Sequence, residues 1–355
     1  NLRDFNIVTQ GSSHAHGIQG TNSFAINLMN VRTDSTVGHG AYFLKTDSLF
    51  IQNCDFASAG YGMDNKSYDN IHLDSCHQFT ISAIRSRKNR DGSGIDIIDG
   101  KGSVLYNKLD NAGSQASAGS LISTENEAEV VLAYNILANA TDTSAIVMNS
   151  KGSVFNNSIY NCRTGIHNAY ANNKLKNNIF SGNHTAMDLR DLPETSDYNL
   201  FYANATDVVE SSNQMSLQEW KNAGSNNYDQ HSLNADPKFT DALNLDFTLL
   251  PGSQAIDNGS PTADLLREGI KSNSLIPDTL LTVDQNNYGS GWEIGAYVFI
   301  NRYDLTIIAE NGSVVPSDST YYERTEVEVS AIPDENYVFT GWSGDISGTT
   351  NPISI

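Results

Sequence analysis

The first 205 residues repeat themselves, and that repeat limits the possible folds more than any other feature of the chain. Two short patterns alternate. The first is a β-rich run with Asn beside apolar residues: SLFIQNCDF (48–56), NIHLDSCHQF (70–79), SVLYNKLDN (103–111), EVVLAYNIL (129–137), SVFNNSIY (153–160) and KLKNNIF (174–180). The second is a small residue or Gly, an apolar residue, then alternation: HGIQG (16–20), HGAYFLKT (39–46), YGMDNKS (61–67), SGIDIID (93–99), SAIVMNS (144–150), TGIHNAY (164–170) and TAMDLRD (185–191). Starts of the first pattern at 48, 70, 103, 129, 153 and 174 are 22, 33, 26, 24 and 21 residues apart. A period of this size, with two or three short strands per unit and no helical periodicity, predicts an all-β solenoid, a parallel β-helix. Each of its coils buries its apolar side chains only by stacking on its neighbours. A β-sandwich would need a hairpin turn roughly every 8–12 residues, and the Asn-Gly and Asp-Gly pairs that make such turns are scarce.

The alternation assigns faces. After the Gly of the second pattern, Ile18, Ala41, Met63, Ile95, Ile146, Ile166 and Met187 point inward. The residues that follow, Gln19, Tyr42, Asp64, Asp96, Val147, His167 and Asp188, point to solvent. The 40 asparagines fit the same plan, because Asn tolerates the backbone of a strand-turn junction and can stack amide on amide between coils. Cys54 and Cys76 are expected at equivalent positions of adjacent coils. With Cys162 they make an odd number and no CxxC pair, which argues against a disulfide scaffold and a zinc site.

The chain carries 21 Lys+Arg against 41 Asp+Glu, a net charge of −20. That balance argues against nucleic acid, whose binding needs a basic stripe, and against an anionic membrane surface. No apolar run is long enough to span a bilayer. The acidity is uneven. Residues 201–300 hold 4 basic and 13 acidic residues and 301–355 hold 2 and 9, whereas the repeat region is nearly balanced and gathers Arg85, Arg87, Lys88 and Arg90 in one loop. The total therefore does not exclude a polyanionic glycan on the coils.

The period is lost after residue 205. SLQEWKNAG (216–224) reads as a short helix, and then come ADPKF, DFTLLPGSQAIDNGSP and GWEIGAY. On Asp236, Pro237, Phe239, Asp246, Phe247, Pro251–Ser253, Ala255–Asp257, Gly259 and Ile294–Tyr297, this stretch resembles the C-terminal end of secreted bacterial right-handed parallel β-helix proteins, polysaccharide lyases among them. Residues 303–355 resemble a divergent internalin-type B-repeat, a small β-grasp-like surface module. The residues that carry this are Gly312, Val314, Pro316, Val327, Ala331, Pro333, Tyr337, Phe339, Gly341–Asp345 and Asn351-Pro352. The expected organisation is coils over 1–205, the irregular C-terminal end and cap of the β-helix over 206–300, and the B-repeat module over 301–355. Both ends read as cut from a longer protein.

The resemblance implies a secreted or cell-surface protein, a monomer that acts on a polysaccharide, most often a uronic-acid polymer cleaved by β-elimination. That reaction needs a cation beside the substrate carboxylate, a base for the C5 proton and an acid for the leaving oxygen. The N-terminal coils supply candidates. His16, His39, Tyr61 and Ser93 each stand before the second strand and should form one column, with Tyr42, Asp64, Asp96 and Lys66 beside it. The base is Lys66 or His39, and Arg90 or Tyr61 assists. His16, Tyr42, Arg85, Arg87 and Lys88 bind the polymer, and Asp64, Asp96 and Asp99 hold calcium. His14, His72, His77, His167, His184 and His231 read as surface or turn residues. The alternatives are a non-catalytic adhesin or glycan-binding stalk and, third, a hydrolase using Asp64, Asp96 and Asp99.

Overall fold

A computed structural model of the 355-residue chain describes the backbone at 2–3 and 6–8, and residues 15–57, 59, 67–87, 92–110, 119–223, 227–262, 266–274 and 276–355 in full. It divides into two units, Asn1–Phe299 and Ile300–Ile355. The first is a parallel β-solenoid with three strand-bearing faces. Face one runs through Ile18–Ser23, Ala41–Thr46, the start of Ile71–Ser82, the start of Ile95–Leu105, Ile122–Glu125, Ser144–Met148, Thr164–Asn168, Thr185–Leu189 and Thr206–Glu210, all parallel. Face two includes Ile26–Met29, Leu49–Gln52, Glu129–Ala133 and Lys151–Phe155. Face three is a ten-stranded sheet from Asn6–Val8 to Leu233–Asn234.

The inward residues behave as the alternation requires. Ile18 is 7% exposed, and Ala41, Ile95, Ile146, Ile166 and Met187 are fully buried. Each buried aliphatic chain contributes about 1.5–3 kcal/mol. One segment departs from expectation. The face-one strand of the third full coil begins at Ile71, which pairs with Ala41 and Ile95, and not at Met63. Ile71 and Leu73 are fully buried there, and the strand runs on without a break to supply face two as well. Both 61–67 and 70–74 satisfy the local alternation, so only the pairing with neighbouring coils tells them apart.

At the turn before face three, asparagines do form the amide stack. Asn107, Asn135, Asn157, Asn178 and Asn199 are all fully buried. The Oδ1 of Asn135, Asn157, Asn178 and Asn199 each accepts both the backbone N–H and the side-chain Nδ2–H of the Asn one coil earlier, at 2.9–3.1 Å. The ladder ends where Asn199 donates its amide to Ser232 Oγ at 2.8 Å. Asn156 and Asn177, the residues before two of its rungs, adopt φ values of 52° and 57°, the left-handed region that Asn enters most easily after Gly. Cys54 stands in line with Ile84 at this same turn, whereas Cys76 faces Gly100 and points its Sγ toward the Phe43 carbonyl. The two thiols are therefore not equivalent, and all three cysteines are free and buried.

Close stacking also dictates the glycines before face one. A Cβ at Gly40 would sit 2.5 Å from the Asn70 carbonyl, and one at Gly17 would sit 2.5 Å from the Gly40 carbonyl. Gly40→Ala is expected to force the coils apart and cost about 2 kcal/mol or more. This would appear as a lower urea midpoint, and an unchanged midpoint would refute the steric account.

The segment after the coils does more than close the end. Leu217–Asn222 is a helix capped by a Ser216/Glu219 capping box, and it buries Trp220 against the last coil. Beyond it, Phe247, Leu266, Ile270, Ala296 and Tyr297 pack outside the solenoid against Ala133, Tyr134, Ile136 and Ala138. Tyr106 Oη donates to the Glu268 carbonyl at 2.9 Å, and Asn156 Nδ2 to the Glu293 carbonyl at 2.9 Å. The covering thus lies over the corner between faces two and three. In the second unit, Arg302–Leu305 pairs antiparallel with Ser319–Tyr322, and Glu328–Pro333 lies between Gly312–Val315 and Ile353–Ser354. Asn351 bonds both the amide and the carbonyl of Ala331 at 2.8 Å.

Candidate functional site

The residue two places before each of the first three face-one strands points its side chain along the solenoid at the next coil. His16 Nδ1 accepts the His39 amide at 3.1 Å, His39 Nδ1 accepts the Asp69 amide at 2.9 Å, and Asp69 Oδ1 accepts the Ser93 amide at 2.6 Å. The column is therefore His16, His39, Asp69 and Ser93. Asp69 holds the place that the sequence reading gave to Tyr61, and His72 follows Tyr42 in the outward column where Asp64 was expected.

The two columns meet in one cluster. The rings of His16 and His39 stack with centroids 5.0 Å apart, those of His16 and Tyr42 at 4.9 Å, those of Tyr42 and His72 at 5.3 Å, and those of His39 and His72 at 4.7 Å. His72 Nδ1 stands 2.9 Å from Asp69 Oδ2 and 3.1 Å from Asp96 Oδ2. The side chains of His39, Asp69, His72 and Asp96 are 11–14% exposed, enough to present an edge and little enough to exclude bulk water.

Hydrogen bonding fixes the charge states. Burial opposes a charged ring at His72, but the Asp69 and Asp96 carboxylates outweigh it and raise the pKa to about 9. Burial alone would raise the Asp69 carboxyl. The facing His72 ring reverses this and holds it below the ordinary carboxylate range. His39 Nδ1 stands 3.3 Å from Asp69 Oδ2 but accepts the Asp69 amide at 2.9 Å, so it donates nothing to that carboxylate. That bond places the neutral His39 ring proton on Nε2, and the same argument holds for His16. Burial first, then Asp74 and Cys76, raises the Tyr42 phenol, so it keeps its proton. Burial and the nearby Asp96 charge raise the Glu125 carboxyl. The result is an imidazolium paired with two carboxylates, beside the protonated Tyr42 hydroxyl.

The other expected site residues are dispersed. Arg85 and Arg87 lie on face three. Arg87 forms a two-pronged pair with Asp55 at 2.9 and 3.3 Å, and Arg85 stands 3.9 Å from Asp110. They face acids on their own sheet, a different one from that of the histidines. Asp99, at a turn with φ 57°, accepts the Glu127 amide at 3.0 Å while Asp96 turns to His72, so these two carboxylates serve different partners. Tyr61, Asp64, Lys66, Lys88 and Arg90 lie outside the described residues. Ligand atoms of His39, Asp69 and His72 fall within 4.8 Å of one another, a spacing open to a metal ion. Their inner atoms are already satisfied by an amide and two carboxylates, and calcium prefers an all-oxygen set.

Sequence reasoning missed Asp69 and His72. The signal was the spacing 16, 39, 69, 93, which continues the coil period, together with the alternation of Ile71 and Leu73 around His72.

The fold defines a parallel β-helix followed by a small β-rich unit. Residues 303–354 match the family of the divergent InlB B-repeat domain. A solved structure, that of pectate lyase Pel9A, is similar to this chain with a TM-score of 0.44 and 11% identity, over 82% of this chain and 86% of that one. Among curated proteins, none matches the sequence.

Proposed function

We propose that face one binds an anionic polysaccharide, with His72 as the cation that receives a substrate carboxylate. The observation that carries this is the buried pairing of His72 with Asp69 and Asp96, which keeps the ring charged at neutral pH, inside a stack of rings whose remaining N–H and O–H groups are donors. Stacked rings also give a sugar an apolar edge to lie against. The setting for such a ligand is extracellular or at the cell surface. No helix among the described residues is long and apolar enough to cross a membrane.

The reaction class that suits this set is β-elimination. His72 neutralises the carboxylate that acidifies C5–H, and Tyr42, still protonated, is the acid for the leaving oxygen. His39 is poorly placed as the base, since its Nδ1 is committed to a backbone amide and its Nε2 carries the proton. Lys66 is the base this reading retains.

The test is titration with polygalacturonate, alginate and a neutral galactan. Wild type is expected to bind the acidic polymers alone. His72→Gln should weaken that binding at least tenfold, the loss expected of a charged hydrogen bond, and raising the pH through about 9 should weaken the wild type in the same way, because His72 then loses its charge. Equal binding of the galactan, or binding indifferent to both changes, would sink the proposal. Elimination is read as ultraviolet absorbance of the unsaturated product, expected in wild type and lost in Lys66→Ala.

A further inference from the structure

The outward column of face one continues in register beyond the cluster, through Asp96, Ser123, Val147, His167 and Asp188. His167 and Asp188 repeat the arrangement of His72 and Asp96. In both places a His on one coil points Nδ1 at the Oδ2 of an Asp on the next coil, at 3.1 Å for His72–Asp96 and 2.9 Å for His167–Asp188. The side chains of the second pair are 24% and 23% exposed, more open than the first. Arg190, 68% exposed, stands just past the end of the strand with its Nε 3.8 Å from Asp188. Between the stations the column carries Ser123 and Val147, with the Glu125 carboxyl hydrogen-bonded to Ser123.

We infer that His167, Asp188 and Arg190 form a second anchoring station for the same polysaccharide chain, engaged only by ligands long enough to reach it. This rests on the reading of the His72 cluster given above. The stations are four coils apart, roughly 19 Å at the usual strand spacing. An extended glycan advances by nearly one strand spacing per sugar, so its acidic groups can keep step with the coils. Arg190 supplies a permanent cation for a second carboxylate, and the His167 and Asp188 edge offers a donor and an acceptor for hydroxyls. Once the first station is occupied, the second is reached at high effective concentration and multiplies affinity without any change at the first.

The probe is a series of oligogalacturonates from dimer to octamer, titrated into the full chain by calorimetry. Wild type should show a step of at least tenfold in affinity between the dimer and chains of six or more sugars. His167→Ala and Arg190→Ala, singly and together, should flatten that step while leaving dimer affinity unchanged, and His72→Gln should weaken every length. A wild-type affinity that does not depend on length, or a step that survives the double substitution, overturns the second station and leaves the first intact. Absence of binding at every length, with polygalacturonate and alginate also unbound, overturns the reading of the His72 cluster and the second station with it. Circular dichroism of the variants separates lost binding from lost fold, and both positions are exposed enough to tolerate alanine.

Discussion

Asn157→Ala is expected to lower the stability of the solenoid by about 3–5 kcal/mol, the sum of several buried polar groups left without partners. Asn157 Oδ1 accepts the amide and the Nδ2–H of Asn135, each at 2.9 Å, and its own Nδ2 donates to the Leu132 carbonyl at 2.9 Å and to Asn178 Oδ1 at 3.0 Å. None of these groups reaches water, since Asn135, Asn157 and Asn178 are fully buried. Alanine removes both the acceptor and the donor, and the gap is too small and too enclosed to recruit several waters. The measurement is urea unfolding, with Lys151→Ala as a control on the same coil. Lys151 is exposed and holds only a surface pair with Glu129, and its loss should leave the midpoint near that of wild type. Equal midpoints for the two variants would show that the ladder is not a main source of stability.

Asp69→Ala is expected to be as severe, about 3–5 kcal/mol, because it strips a buried cation of a partner and removes the carboxylate that accepts the Ser93 amide. Asp69→Asn separates the two effects, since it keeps an acceptor for Ser93 but removes the charge. Linkage gives a signature that a purely steric role would not. His72 has its pKa raised from 6.5 to about 9 on folding, so its contribution is complete below about 6.5 and is lost as the pH rises through 9. Asp69 is lowered from 3.8, so its contribution is present above that value and is lost as the pH falls below it. Wild type should therefore be most stable between about pH 4 and 6.5, with an alkaline decline centred between 6.5 and 9. In Asp69→Asn the decline should shrink and move down in pH, because only Asp96 still holds the His72 proton. A variant that keeps the wild-type pH profile would show that Asp69 does not set the charge of His72.

Much of this architecture could be read from the chain, and the particular residues show why. The alternation at Ile18, Ala41, Ile95, Ile146 and Ile166 is a local property of a strand, so a sequence displays it directly. The asparagine stack was foreseeable for a similar reason, because Asn recurs at a turn once per coil. Half of the candidate site followed from that regularity. His16, His39, Tyr42 and Asp96 do lie together, because they stand at fixed offsets from a Gly-apolar signal. Asp69 and His72 did not follow, because Asn70 replaces that Gly and the coil before them is longer than its neighbours. Arg85 and Arg87 were misplaced by proximity in sequence, for in a solenoid three residues can carry the chain from one face to another.

The sequence by itself determined that this protein coils, which side chains turn inward, and that a separate β-rich unit follows the coils. These depend on periodicity and on turn chemistry, both of which act within a few residues. The tertiary structure alone decided which segment of the third coil stacks on its neighbours, and so that Asp69 stands in the histidine column. It also decided the protonation of the site. A backbone amide on the next coil fixes the proton of His39, and carboxylates at positions 69 and 96 hold the charge on His72. Such contacts join residues more than twenty positions apart, and no local pattern encodes the electrostatic field they produce.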